Sequence, residues 1–491
     1  DVEPFVPGVA YGNAPRVAER ALAGLPARRS GVETCLIRED RMAAPVFALR
    51  YPDGRWLAVL HRNPDARTTA ADGAVEDGGE TIVDARLRFA SLGGWQDGDR
   101  LSLGLCFPGT EGELTYSSGG LPLQQLPAWR RRYSPAKDGF VQRYELAFRG
   151  GTASATSEYF RDVWRWTWDE FRPTARPVDV SVVVEDCTRV LAGQVTSIGY
   201  RTGIALEADA VNPVRTDEDT SAVMGFVGAN TDAGYLLLRV GDGIQGETGQ
   251  VYRALGEQVL DTFARLPLAP PAGEGFDTAT GELTTYRMYR ERPAVYARAV
   301  AEGCLAVLEA WRWERRRGTD RPEWLDWVRS GGEWLLAQQA PSGSLPRAWV
   351  AGTGEVLDPS DSAPYVVVPF LVALADVTGD ARYRNGALRA AEYGWNAAGR
   401  NGAYAGGTLD NPDVVDKEAA ILSAEGFLDL FDATGDAVWL ERADAAASVA
   451  ETWIYIWDVP MPEDADQDSL HWKPGVPTVG HQLITTGCSM T

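Results

Sequence analysis

The sequence predicts an antiparallel β-sandwich followed by an array of helical hairpins, and three observations carry the prediction. Before residue 275, short alternating or β-rich runs are separated by Gly, Pro and Asp clusters. Beyond residue 290, apolar residues recur at helical spacing. Within that second part a segment repeats: Leu374-Ala375-Asp376-Val377-Thr378-Gly379-Asp380 returns 56 residues later as Leu430-Phe431-Asp432-Ala433-Thr434-Gly435-Asp436.

The β-rich part, residues 1–275, is expected to hold strands at 46–51, 56–60, 81–89, 100–107, 140–148, 178–184 and 235–240. Turn clusters such as Pro52-Asp53-Gly54 and Gln96-Asp97-Gly98-Asp99 part them. A helix interrupts at 157–171, with Phe160, Val163, Trp164, Thr167 and Phe171 on one face and Pro173 after its end. Its tryptophans read as a packing face. The Gly-rich turn Pro7-Gly8-Val9-Ala10-Tyr11-Gly12-Asn13 lacks the Lys-Ser/Thr of a phosphate loop. Pro270-Pro271 and nearby glycines mark a break, and 276–290 is expected to be a linker.

From 291 onward the hairpins begin. Val300, Cys304, Val307, Leu308 and Trp311 form one helix face. In each Thr-Gly-Asp copy, Gly suits the left-handed position that ends a helix, and Asp can cap the next. Aromatic residues Trp324, Tyr383 and Trp439 follow the three turns at separations of 59 and 56 residues. Alanines recur in register after the two strong copies, at Ala387, Ala390, Ala391 and Ala443, Ala446, Ala447. Each unit is thus two helices joined by a tight turn, and a fixed period of this length implies stacked hairpins.

Connection lengths alternate. Turns at Gly318, Gly379 and Gly435 are short, while 339–361, 399–415 and 458–482 are long. In an up-and-down array the long links share one end, where function concentrates. Arg347, Trp349, Glu355, Asp358, Asp361, Tyr404, Asp410, Asp413, Asp416, Glu418, His471, Trp472, Lys473 and His481 are expected on that rim. Asp410, Asp413, Asp416 and Glu418 stand at the mouth of one helix, whose run continues Ile421, Leu422, Glu425, Leu428, Phe431. Carboxylate pairs are the chemistry of glycoside cleavage. The plain alternative is that these acids cap the helix and favour its positive end.

Bulk properties narrow the function. The chain has 491 residues, 45% hydrophobic and 24% charged, so a globular protein of two or three domains is expected. Its net charge of −22 argues against nucleic acid and anionic membranes as partners. Five scattered cysteines without a C-x-x-C pair and three histidines argue against a zinc site, and no cofactor is expected. Asp464-Ala465-Asp466-Gln467-Asp468 has the alternation of a calcium loop, but Ser469 replaces its glycine and Gly475 its glutamate. The first residue is Asp1, so removal of a leader is an open expectation.

The Thr-Gly-Asp-x-x-Tyr/Trp turns behind a β-region resemble the six-hairpin glycosidases, whose barrels are (α/α)6 toroids. The resemblance covers about residues 290–480 by pattern and the β-region by domain order only. It implies a glycoside hydrolase acting on a neutral poly- or oligosaccharide, secreted or in the cell envelope. By position at the long-link end, Asp416, Glu418 and Asp361 are then the candidate catalytic acids. Trp349, Asp358, Tyr404, Asp410, His471, Trp472 and His481 are the candidate substrate contacts. A glycoside phosphorylase, a polysaccharide lyase using Tyr404 and His481, and a glycan-binding protein with a dead cleft are the alternatives. Six hairpins need twelve helices, and about six are countable beyond 290. The toroid is therefore expected to be incomplete in this chain: further residues complete it, a second chain completes it, or the array is open.

Overall fold

The computed structural model describes residues 2–8, 10–11, 26–29, 32–64, 75–77, 81–84, 89–97, 100–107, 109, 116–118, 128–133, 138, 142–174, 176–206, 220–267, 274–285, 288–289, 292–360, 364–407, 415, 417–459 and 478–481. Asp361, Asp410, Asp413, Asp416, His471, Trp472, Lys473 and the 464–468 segment lie outside these. The chain divides into two compact units. The first comprises Asp1–Arg176, Ala398–Ile421 and Asp444–Thr491, and the second Pro177–Ala397 and Leu422–Ala443.

The first unit contains the sandwich. One antiparallel sheet orders Leu146–Thr152, Arg55–His61, Val46–Arg50, Glu3–Val6 and Ala10–Tyr11. A second orders Arg100–Cys106, Ser91–Asp97, Val32–Arg38 and Pro26–Arg29. Val6, Phe47, Leu49 and Val59 of the first sheet meet Ile37 and Leu92 of the second in one buried cluster, joined by Met42. Alternating side chains from two faces make such a core. A third sheet includes the one parallel pairing among the described strands, Thr81–Asp84 with Ala128–Tyr133. The expected helix is α1, Thr156–Phe171, and its rings close on the first sheet: Phe160 lies 5.2 Å and Tyr159 6.0 Å from Phe5. Trp164 and Trp166 are buried while Trp168 is exposed, which fits a packing face.

The second unit corrects three expectations. Of the expected strands at 178–184 and 235–240, residues 180–184 and 235–240 are helical, within α2 (Val180–Gln194) and α3 (Asn230–Gly243), and 178–179 lead into α2. In α2 a cap outweighs the valines' β-preference: Asp179 accepts from the backbone N–H groups of Ser181 and Val182. In α3 the apolar run carries a hidden helical face, since Gly234, Leu237, Leu238 and Gly241 are all buried. That face crosses α4 (Glu247–Phe263) at Gly249 and Gly256. The 276–290 stretch is no linker either. Gly275–Asp277 pairs with Ser221–Val223 on one side and Leu283–Thr284 on the other, with Phe276 fully buried.

The α3/α4 crossing is testable. A Cβ on Gly256 would stand 2.5 Å from the Gly234 carbonyl oxygen and 2.7 Å from the Leu238 nitrogen, both backbone atoms that cannot swing aside. Gly256→Ala is expected to lower stability by about 3 kcal/mol, read from the midpoint of urea unfolding; an unchanged midpoint would mean that the helices separate freely.

Three further hairpins follow. They are α5 (Ala297–Arg316) with α6 (Pro322–Gln338), α7 (Val368–Thr378) with α8 (Ala381–Ala397), and α9 (Lys417–Thr434) with α10 (Ala437–Ala450). The repeated turn is the same bond for bond. Gly379 and Gly435 have φ of 70° and 71°, where a side chain would be strained. Thr378 and Thr434 each donate a hydroxyl to the carbonyl four residues back, at 2.7 and 2.6 Å. Asp380 and Asp436 each accept the N–H two residues on, at 2.9 and 3.1 Å. Trp324, Tyr383 and Trp439 are buried, as the repeat requires. Of the recurring alanines, Ala447 alone is exposed.

Candidate active site

Charges at the short-turn end of the second unit are paired. Asp242, at the end of α3, accepts from Arg253 Nη1 at 2.8 Å and Trp313 Nε1 at 2.7 Å, with Arg317 at 3.0 Å. Arg253 also bridges Glu257 at 2.8 Å and the wholly buried Glu314 at 2.7 Å. This network ties α3, α4 and α5 at one end.

The other end is built differently. From Ala297 to Trp311, α5 is buried except at Arg298, Glu302, Leu305 and Glu309, and Arg312 continues the half-buried stripe. Steps of four and three place these residues on one helix face. The loop before α3 is seated against the start of α5. A Cβ on Gly225 would be 2.1 Å from the Ala299 carbonyl oxygen, so only glycine allows this approach. Phe226 N–H then donates to Glu302 Oε2 at 3.1 Å, and Arg298 Nε donates to Glu302 Oε1 at 2.7 Å. Asn230 and Thr231 pin the first turn of α3: the Asn230 amide bonds to Ile204 and Val223, and the Thr231 hydroxyl to the Met224 carbonyl.

Asp232 follows on α3, and Glu425 and Asp429 come from α9. These three have no hydrogen-bond or ion-pair partner among the described residues. Burial among neighbouring atoms pushes the Asp232 carboxyl up to about 7, and the charges of Glu302 and Glu425 push the same way. The side chain nonetheless keeps an open surface to solvent. Glu425 is raised by burial and by Glu302, while Arg298 pulls it back. Asp429 is raised to about 6 by burial, with Glu425, Asp432 and Glu309 adding and Arg312 opposing. Asp232 sits in the first turn of its helix, where the positive helix end favours the charged form; burial and like charge outweigh that. Carboxylates held together unpaired cost stability, and proteins keep such groups mainly where they act.

The expected rim residues fall otherwise. Trp349 is fully buried, its ring 4.4 Å from that of Trp334 in a T-shaped pair, so it offers no face to a sugar. Asp358 is buried against Arg347 at 3.0 Å and accepts the Ser360 N–H at 3.0 Å; it closes a structural ion pair. Tyr404 is buried as well, which withdraws its ring from stacking. His481 is exposed, and its carbonyl accepts the Tyr455 N–H. Glu418 is half-buried in the first turn of α9. Asp361, Asp410, Asp416, His471 and Trp472 lie outside the described residues. Trp349 and Asp358 belong to the second unit, Tyr404, Glu418 and His481 to the first.

Asp232, Glu302 and Asp429 were not singled out by sequence, yet a signal existed for part of the cluster. Glu425 stands inside an apolar run, and Glu302 inside Val300-Ala301-Glu302-Gly303-Cys304. A carboxylate that interrupts the buried face of a helix needs a reason. Asp232 had no such marker, because its surroundings read as a strand. Among the described residues no group of three His, Cys, Asp or Glu side chains is arranged to hold a metal ion.

The second unit is thus a helical-hairpin scaffold on which Asp232 of α3 and Glu425 and Asp429 of α9 are each raised by burial and by neighbouring like charge. No protein-family model matches the chain, and no curated protein does. Among solved structures it is similar to a family 76 glycoside hydrolase from a Bacteroides thetaiotaomicron strain, with 11% identity over 85% of this chain and 89% of that chain and a TM-score of 0.37. It is also similar to cellobiose 2-epimerase from Bacillus thermoamylovorans, with 12% identity over 61% and 84% and a TM-score of 0.40. A third likeness is to D-mannose isomerase, with 12% identity over 58% and 73% and a TM-score of 0.40.

Proposed function

We propose that the protein is a carbohydrate-active enzyme that cleaves glycosidic bonds in a neutral glycan by carboxylate acid/base chemistry. Asp232 is the general acid and Glu425 the base that activates water or meets the anomeric carbon. One observation carries this reading: three unpartnered carboxylates from two helices crowd together, and one of them holds its proton to about pH 7. A general acid must be protonated at working pH, and its partner ionised, so environments that push two carboxyls apart assign the roles. Aspartate at its ordinary pKa could not donate at neutral pH. Glu418, on the helix that carries Glu425, remains a candidate, as do Asp361 and Asp416 on the long links.

The test is incubation of the protein with a panel of neutral glycans, with and without phosphate, followed by product analysis. Free reducing sugar formed without phosphate is the expected result, abolished in Asp232→Asn and Glu425→Gln. Sugar phosphate, an unsaturated product, an epimer, or binding without turnover would each replace this reading with a named alternative. Asp361→Asn, Asp416→Asn and Glu418→Gln in the same assay decide whether a long-link acid takes part.

A further inference from the structure

Apart from the acid cluster, the second unit holds a groove of about 400 Å³ between α6 and α8. Glu333, Leu336 and Ala337 of α6 line it, with Arg382, Asn385 and Arg389 of α8. Steps of three and four put each set on one helix face. Leu336 is half-buried and Ala337 exposed, so part of the lining is apolar and open. The turn after α6 folds onto α8 at Arg389: Gly343 has a φ of 97°, and a Cβ there would stand 2.1 Å from the Arg389 carbonyl oxygen. The two arginines differ. Arg382 is committed to Glu333 and Asp380, each at 2.7 Å. Arg389 pairs with no carboxylate among the described residues, and its guanidinium makes one hydrogen bond there, from Nη2 to Gln339 Oε1 at 2.7 Å. Gln339 gives its amide to the Gly386 carbonyl at 2.9 Å. A neutral partner that is itself anchored thus aims this guanidinium, and its Nε and Nη1 hydrogens stay available.

The hairpin itself does not require this cation, as the repeat shows. Residues that the packing needs return 56 positions on, Tyr383 as Trp439, Ala387 as Ala443 and Ala390 as Ala446. Arg382, Asn385 and Arg389 return as Val438, Glu441 and Ala445. We propose that the groove binds a small carboxylate with an apolar body, which seats its charge on Arg389 and its body on Leu336 and Ala337. This is a second ligand site, independent of the function proposed above. A guanidinium meets a carboxylate with two parallel N–H groups, and one already aimed loses little freedom on binding. The alkyl groups beside it favour an apolar body over a hydroxyl-rich one, whose hydroxyls would be left without partners. Asn385, between the two arginines along α8, offers its amide to one further polar atom. Glu333 and Asp380 beside Arg382 oppose a second negative charge, so a monoanion fits better than a phosphate monoester.

The experiment is a saturation-transfer NMR titration of the whole protein, with phenylacetate as the probe and phenylacetamide as its neutral match. Phenylacetate should bind saturably with a Kd on the order of 1 mM, as suits so small a ligand. Phenylacetamide should bind at least ~5-fold more weakly, because it lacks the charge that Arg389 meets. Arg389→Met should weaken phenylacetate to the level of the amide. Ala337→Glu, which sets a like charge in the lining, should do the same. Arg384→Met removes an exposed arginine of α8 that lies outside the lining, and it should leave binding unchanged. Arg389 and Ala337 are both exposed, so neither variant alters buried packing. Absence of saturable binding overturns the proposal, as does equal binding of acid and amide. So does a loss in Arg384→Met equal to that in Arg389→Met.

Discussion

Asp232→Asn is expected to lower turnover at least ~100-fold while making the protein more stable at pH 8. The two effects have one origin. Asp232 titrates near 7 in the folded chain against 3.8 for a free aspartate, because burial and the charges of Glu302 and Glu425 oppose its ionisation. Below about pH 3 the carboxyl is neutral in both states and costs nothing. As pH rises from about 3 through 7, the unfolded chain releases the proton and the folded chain holds it, so stability falls. Asparagine has no proton to lose and escapes the penalty. Three pH units would correspond to about 4 kcal/mol, but the side chain is open to solvent, and about 1–2 kcal/mol is the expected gain at pH 8 after screening. The gain should vanish at about pH 3. Thermal unfolding at the two pH values, beside the glycan assay, tests both halves. An acid present for structure would behave in the opposite way, and Asp232→Asn would then destabilise at pH 8.

Arg253→Ala is expected to be the most damaging single change at the other end of the array, at about 3–5 kcal/mol. Arg253 reaches Asp242, Glu257 and Glu314, and Glu314 has no exposure to water. Truncating the cation leaves that carboxylate buried beside Asp242, with Arg321 3.9 Å away as its nearest remaining cation. Urea unfolding measures the loss, and Arg253→Ala with Glu314→Gln should recover much of it. A loss below about 1 kcal/mol would show that water replaces the guanidinium and that the clamp is peripheral.

Much of the helical part was legible in the sequence because its signals are local. Thr-Gly-Asp specifies a left-handed glycine and a capping aspartate within three residues, and both copies fold as that chemistry dictates. The strands at Val46–Arg50 and Arg55–His61 were legible for the same reason, with a turn glycine at φ 84° between them. What failed depended on distant partners. The valines of α2 and the leucines of α3 have the composition of strands, and only a cap in one case and a glycine-lined helix crossing in the other decide against it. The site suffered more. Asp232, Glu302 and Glu425 are separated by 70 and 123 residues of sequence, so nothing local links them. Trp349 and Asp358 were chosen for chemical type on a long link, but that link folds back into a sheet with Arg292–Tyr296 and buries them.

The short sheet under the site has a consequence for how the site comes to exist. Ser221–Val223 pairs with Gly275–Asp277, so the strands enclose a length of chain whose main content is the α3/α4 hairpin. Closing a slack loop of about fifty residues costs about 3.5 kcal/mol of chain entropy, and about 1 kcal/mol less once the hairpin has formed and shortened it. The contacts of Gly225, Phe226 and Glu302 therefore close at a lower entropic cost once the hairpin has formed. Loosening α3 from α4, as Gly256→Ala does, should quicken solvent exchange at the Phe226 N–H, although Gly256 makes no bond to it. The contacts of Gly225, Phe226 and Glu302 thus lean on a helix crossing that carries Asp232 but neither Glu302 nor Glu425.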